Sequence, residues 1–386
     1  MRVLATFGKH PKTLSFMRSA GRSGREVLVT DDTRHPICSY SKYCSKFLSL
    51  PSPSRWPKEF LLELIEILRI ENIDLVVPMD DSECDILSDI ENKRLLPSFV
   101  ALPSSDAYYV ARDKNETQLL ARRLGIPAPD SCLITSPESI GRIGKEVGFP
   151  AIVKPIKSSG SRGFRLIRDE ASLVSIPYLL SKYGSLLAQE FIPSQESIGV
   201  SYLFNRGEIR ASFSHRRLLE FPMDGGPSLV RESVANGAAQ EFGQRLLESL
   251  SWHGIAMVEF RIDSRTGTPV LLEINPRFWG SLPLAIASGV DFPSLLCEMY
   301  ERGDVARTDS YMIGRRCMNI IPFGIASIVG VKRARYPFNL LRHAVNCRCF
   351  DVESFDDPLP TLGGVVAMLE SAFDRELVEA FLRRTT

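Results

Sequence analysis

The chain reads as a mixed α/β and α+β protein built from two or three packed units, and three observations carry that reading. Its 386 residues exceed what one simple core organises. Residues 2–30 follow a strand–helix–strand pattern, and residues 256–275 form two alternating segments joined by turn chemistry. With 44% apolar residues, 24% charged and a net charge of +1, the composition is that of an ordinary globular protein. Lys and Arg are scattered without a dense basic run, which leaves nucleic-acid or anionic-membrane binding without electrostatic support. No apolar run approaches a membrane span, and residues 1–10 lack a signal-peptide pattern, so a cytoplasmic location is expected. The eight Cys show no paired metal spacing and are expected as reduced thiols; the C-R-C at 347–349 has no second pair to complete a metal site.

In chain order, a buried-type strand over 2–6, a helix over 13–20 and a strand over 26–30 open a doubly wound, Rossmann-like unit spanning 1–104. Its first turn, F-G-K-H-P, lacks G-x-G-x-x-G, so Asp31 and Asp32 are weak partners for a nicotinamide ribose. A helix over 60–70 and a strand over 74–78 follow. Asp80, Asp81, Ser82 and Glu83 then read as helix-cap chemistry, yet they also sit at the carboxyl end of a parallel strand, where such sheets bind ligands.

The middle of the chain carries the chemistry. Residues 106–124 predict a helix with Lys114 inside it, closed by Gly125, and 138–147 predict another. The strand at 151–155 embeds Lys154 among apolar residues, where an ammonium is costly unless an anion meets it. The loop K-S-S-G-S-R-G at 157–163, with Ser158, Ser159, Gly160 and Gly163, lets backbone N–H groups approach a phosphate, although any hairpin favours Gly and Ser. The strand over 186–192 ends in Gln189, Glu190, Phe191 and Ile192, which can flank a flat heterocycle, with Glu196 reaching ribose hydroxyls; an edge strand entering a turn is the plain alternative. A hairpin over 200–214 leads to His215, Arg216 and Arg217, then to a loop holding Gly225, Gly226 and Ser228. A loop bracketed by Arg and His suits a carboxylate-bearing substrate, and equally suits a surface loop with solvated charges.

A helix over 238–250 feeds the hairpin around which the chain is organised. With Glu259 paired to Glu273, alternation puts Glu259, Arg261, Glu273, Asn275 and Arg277 on one face, and Val258, Phe260, Ile262, Val270, Leu272 and Ile274 on the other. Two carboxylates held across a ladder repel unless a cation lies between them, and oxygen ligands of this kind suit Mg²⁺. Each Glu paired to a neighbouring Arg is the bland alternative. E-I-N-P-R at 273–277 in register with V-E-F-R at 258–261 favours the metal.

On these motifs the sequence resembles the ATP-grasp superfamily, and is similar to its carboxylate–amine ligases, over about 114–289. The resemblance implies an ATP-grasp domain over 105–300, with a glycine-loop subdomain at about 125–190, behind a Rossmann-like preceding domain. It implies Lys114 and Lys154 as phosphate lysines, 158–163 as the mobile loop, Gln189 to Ile192 as the adenine hinge and Glu196 as the ribose carboxylate. Glu259, Glu273 and Asn275 would hold Mg²⁺, with Mn²⁺ able to replace it; Arg277, with Arg261 beside it, would face acyl-phosphate charge. Phe191 departs from relatives that place a Lys there. The implied activity is an ATP-dependent ligase that makes an acyl phosphate from a carboxylate and joins it to an amine, with His215, Arg216, Gly225, Gly226 and Ser228 near the substrate. A kinase-like or carboxylase-like reaction with another acceptor, or a nucleotide-binding regulator without turnover, are the alternatives. The tail, 301–386, shows strand character at 314–329 and 363–368 and an amphipathic helix at 373–384. It is expected to extend the nucleotide domain or to form a small subdomain, with a homodimer contact as one use.

Overall fold

The computed structural model describes residues 1–158, 162–194, 196–220, 228–308, 310–321, 323–330 and 336–373. Three sheets organise them. Strands β1 (Arg2–Ala5), β2 (Glu26–Asp31), β3 (Lys46–Ser49), β4 (Leu75–Val77) and β5 (Phe99–Val100) form a parallel sheet in the order β3-β2-β1-β4-β5. These strands are apolar on both faces because helices cover both. Helix α1 (Pro11–Arg22) buries Leu14, Phe16 and Met17 with Val3 and Ala5, whereas α2 (Pro57–Ile70) buries Phe60, Leu64 and Leu68 with Leu4 and Leu28. The chain winds outward from β1 to β3 and then returns to β4 on the other side of β1. The carboxyl ends of β1 and β4 therefore flank a topological switch point, where open α/β sheets leave a crevice. Helix α3 (Asp81–Ser88) begins there on a capping box between Asp80 and Glu83.

Strands β6 (Ser131–Ile134), β7 (Ala151–Pro155), β8 (Arg165–Ile167) and β9 (Leu186–Glu190) form an antiparallel sheet in the order β6-β9-β7-β8. The third sheet contains β10 (Ser197–Asn205), β11 (Glu208–Glu220), β12 (Ser228–Ser233), β13 (Gly254–Ile262), β14 (Pro269–Asn275), β15 (Arg316–Met318) and β16 (Cys349–Phe350), in the order β14-β13-β10-β11-β12-β15-β16. The β10–β11 hairpin turns at Arg206 (φ +51°) and Gly207 (φ +89°), the left-handed pair that a two-residue turn matched to strand twist requires. One face of this sheet buries Val200, Tyr202, Val258, Phe260, Leu271 and Ile274 under the helix Gly237–Glu248. On the other face, Leu203, Phe213, Ile255 and Met257 join Phe278, Trp279 and α1 in the core shared with the N-terminal sheet. What remains of that face looks toward β7 and β9.

Several expected elements differ. The helix read over 106–124 is two, Ser105–Arg112 and Lys114–Arg123, because Asp113 leaves helical geometry and caps the second by accepting from the N–H groups of Asn115 and Glu116. Residues 138–147 form only a 3₁₀ turn, Pro137–Ser139, and a π-turn, Ile143–Val147. The strand character at 314–329 holds only for β15, since Phe323–Gly330 is helical. Residues 363–368 lie inside the helix Leu359–Phe373 rather than in a strand. Apolar runs of that length show no period, so burial could not separate strand from helix there. The helix expected over 373–384 lies, beyond Phe373, outside the described residues. The tail adds β15 and β16 to the large sheet, and Asp357 in it accepts from Arg18 of α1 at 2.9 Å. The described cysteines are all free thiols, and among the described residues no helix is long and apolar enough to cross a membrane.

Candidate active site

The register of β13 and β14 places Glu259 directly opposite Glu273 and Met257 opposite Asn275. Between these pairs and the turn the ladder slips, so Phe260 faces Leu271 and Leu272 bulges. Leu271 thus enters the core, Leu272 lines the cleft, and Val270 stands opposite Arg261, which corrects the face expected for Leu272 and Val270. A strict period of two cannot anticipate a bulge.

A cleft opens between the four-stranded sheet and this hairpin. Ile152, Lys154 and Gln189 to Ile192 line one wall; Ser197, Arg217, Glu259, Arg261, Leu272 and Glu273 line the other; Lys114, Ser158 and Arg162 close one end. Lys114, first residue of its helix and nearly buried, donates to the Ser158 carbonyl at 2.6 Å and stands 3.4 Å from Glu273. Arg217 donates to Glu259 at 2.7 Å and to Glu220 at 3.2 Å. The Asn275 amide nitrogen lies 3.3 Å from Glu259, and its oxygen accepts from Arg277 at 3.4 Å.

These charges set the ionisation of the pair. Burial raises Glu259, with Arg217 opposing and Glu273 adding repulsion, and the net shift is upward. Burial also works against Glu273, but Lys114 and then Lys154 outweigh it and hold that carboxyl below its usual value. Burial pushes the Lys154 ammonium down to about 8, with Glu273 opposing. Arg217 is held above its ordinary value chiefly by Glu259. The two facing carboxylates are thus driven apart in affinity for a proton, as expected when two titrating groups share one field.

Glu259 and Glu273 open to the cleft, with the Asn275 amide beside Glu259, and this oxygen donor set, short of full coordination, fits a hard cation that brings phosphate oxygens with it. Among the described residues, no group of three or more His, Cys, Asp or Glu is placed to hold a metal by itself, which also leaves the C-R-C at 347–349 without a completed site. Gln189 is 2% exposed, lines the cleft, and its side-chain nitrogen has no hydrogen-bond partner. A buried donor left unpaired is costly, and a heterocycle acceptor would satisfy it.

Other expected residues fall elsewhere. Arg216 shares a face with Ile198, away from the cleft, and pairs with Glu232 at 2.6 Å and Glu196 at 3.4 Å. Alternation gives the cleft to Arg217 instead. Glu196 is likewise off the cleft lining, which the adjacent Ser197 joins instead. His215 shares the site face but is 3% exposed, stacked over Gly199 with Nε2 3.0 Å from the Ser281 hydroxyl, so no substrate reaches it. Ser228 opens β12 and bonds locally to the Val230 carbonyl. Ser159, Gly160, Gly225 and Gly226 lie outside the described residues. Gly163 has φ +77°, and a Cβ there would meet Pro155 at 2.7 Å. Arg277 points at Asp81 of α3, donating to its two oxygens at 2.8 and 3.2 Å, rather than lining the cleft. Glu220 is a cleft residue that sequence reasoning did not single out; Arg217 was read only as part of the basic group after the hairpin and Asp81 only as a helix-cap or strand-end residue, and only the pairing of β10 between β11 and β13 would have placed Arg217 in the cleft.

A cleft gripped between a small antiparallel sheet and a hairpin of paired carboxylates, with Lys114 and Lys154 lining it, defines the ATP-grasp class. Two family models match: a RimK-like ATP-grasp domain over 111–220, and the ATP-grasp in the biosynthetic pathway with Ter operon over 182–314. The chain belongs to the ATP-grasp superfamily. It is 24% identical over 211 residues to the carbamoyl phosphate synthase large chain of Methanothrix thermoacetophila, covering 52% of this chain but only 19% of that one. The chain thus spans about a fifth of the length of such relatives. Its fold resembles biotin carboxylase from Campylobacter jejuni, solved as a β-γ-ATP complex (TM-score 0.68, 17% identity, 81% of this chain and 74% of that one). It also resembles an L-amino acid ligase from Bacillus licheniformis (TM-score 0.59, 16% identity, 78% and 74%).

Proposed function

We propose that the protein is an ATP-dependent carbon–nitrogen ligase that activates a carboxylate as an acyl phosphate and joins it to an amine. The observation that supports this most is the Glu259–Glu273 pair, opposed in register and flanked by Lys114, Lys154 and Arg217 in one cleft. In this reading Gln189 to Ile192 seat the base, Lys114 and Lys154 bind the phosphate tail, and Glu259, Glu273 and Asn275 hold Mg²⁺. The metal, when bound, neutralises charge on the terminal phosphates. Arg261 and Arg217 supply further positive charge to the transferring group. A carboxylate oxygen bonds to the γ-phosphorus as the bond to ADP breaks. The amine nitrogen then bonds to the acyl carbon, phosphate departs, and the nitrogen loses a proton. Acyl phosphates hydrolyse, and the Gly- and Ser-rich sequence of 157–163 suits a loop that excludes water.

The proposal includes the division at 104/105 and 300/301, small-molecule acid and amine partners, a homodimer and a cytoplasmic location. It is tested by a screen of paired carboxylic acids and amines for ADP and phosphate release with Mg²⁺ and ATP. Release that requires both substrates is the expected result. Release with a phosphorylated product and no amine would replace the ligase with a kinase-like reaction, and no release with any pair would leave a nucleotide-binding regulator.

A further inference from the structure

We propose that Cys317 and Cys349 form a reversible redox pair: oxidation by a peroxide closes them into a disulfide that ties the tail strand β16 to β15. Arg217, Arg231, Cys317 and Cys349 stand directly opposite one another on β11, β12, β15 and β16, so their side chains share one face of the large sheet. Neighbouring strands lie about 4.8 Å apart, and disulfides span Cα separations of about 4.4–6.8 Å, so the register alone brings the pair within bridging range. Cys317 and Cys349 both pack in the core shared with α1, whereas Cys347 packs with Val230 and Met318 on the opposite face. Alternation therefore gives Cys317 the sulfur of Cys349 and not that of Cys347.

The two thiols differ in the way such a pair requires. Cys317 is fully buried; its sulfur donates to the Asp351 carboxylate at 3.6 Å and accepts from Arg231 at 3.8 Å. Cys349 is half-buried, donates to the Arg316 carbonyl at 3.7 Å and lines a cavity of about 920 Å³, ample for a peroxide to enter. Of the eight cysteines only Cys44 shares that partial exposure. Burial, and then the adjoining Cys349 thiol, hold the Cys317 thiol well above its ordinary value. First attack therefore falls to Cys349. Its thiolate bonds to one peroxide oxygen, the O–O bond breaks, and the departing hydroxide takes up the proton the thiol lost, leaving a sulfenic acid and water. The Cys317 sulfur then bonds to that sulfur, its proton passes to Asp351, and the second hydroxide carries it away as water. Two thiols have lost two hydrogens and two electrons, and the peroxide has received them. A thiol reductant reopens the bond by exchange, which makes the pair a reversible sensor in a reducing compartment.

The test treats the reduced full chain with hydrogen peroxide and reads intact mass, tryptic peptides and the thermal unfolding midpoint. The wild type should lose the mass of two hydrogens, and a cross-linked pair of peptides should join Cys317 to Cys349; trypsin cuts after Arg348 and so separates Cys349 from Cys347. The midpoint should rise, because the link closes the loop 317–349 in the unfolded chain, and dithiothreitol should reverse both changes. Cys349→Ser should abolish the cross-link and the rise, and Cys347→Ser should keep both. Oxidised wild type without the 317–349 link, a link through Cys347 instead, or a midpoint that does not rise would overturn the inference. None of these readouts involves a nucleotide, so the ligase reading stands or falls separately.

Discussion

Glu259 and Glu273 face each other across β13 and β14, and each carboxylate has a cation of its own: Arg217 at 2.7 Å and Lys114 at 3.4 Å. Two like charges in register would otherwise destabilise the hairpin. The same arrangement leaves both acids turned into the cleft and ionisable.

Replacing Glu273 with Gln removes one of two carboxylates and leaves Lys114 and Lys154 facing a neutral amide. ATP turnover should fall by about 10²–10³-fold, the loss of roughly 2.7–4 kcal/mol of transition-state stabilisation. ADP release by coupled assay measures it. Unchanged release would exclude the assigned metal site.

Arg217 and Arg216 are neighbours in sequence with opposite expectations. Burial already raises Glu259, and Arg217 opposes that rise, so Arg217→Ala should lift the carboxyl further. The acidic limb of the kcat/KM profile should then move to higher pH. Arg216→Ala loses only ion pairs on the far face, worth about 0–1 kcal/mol, and should leave the profile in place.

Lys154 must be charged to meet phosphate, and its ammonium is held down to about 8 in the empty cleft. Below that value the charge is present before nucleotide arrives; above it, binding must first take up a proton. ADP affinity in Mg²⁺ should therefore weaken as pH rises past 8, by up to about tenfold per unit. Lys154→Arg, charged throughout, should flatten that dependence in calorimetric titrations.

Gly199 lies between Glu259 and His215 in the sheet, and a Cβ there would stand 2.4 Å from the His215 ring. Gly199→Ala should cost about 1–3 kcal/mol by overpacking, visible as a lower denaturant midpoint. Because its cross-strand neighbour is Glu259, turnover should fall as well.

Much of the hairpin was legible in the sequence. Side chains alternate on a strand, the turn at 264–267 limits the register, and acids sixteen or fewer residues from their partners meet by local geometry. Lys154, set among apolar residues, was legible for a similar reason. The tail was not, since apolar stretches that are buried on all sides lose the period that separates strand from helix.

The sequence by itself determined which side chains could face each other across β13 and β14, because a two-residue period and a short turn leave few registers. Only the tertiary structure decided that Arg217 rather than Arg216 enters the cleft, that Lys114 reaches Glu273, and that Arg277 is drawn to Asp81. Those pairings join segments 42, 159 and 196 residues apart (Lys114 to Glu273 being 273 − 114). Their geometry is set by how three sheets pack, and no local preference of the chain encodes that.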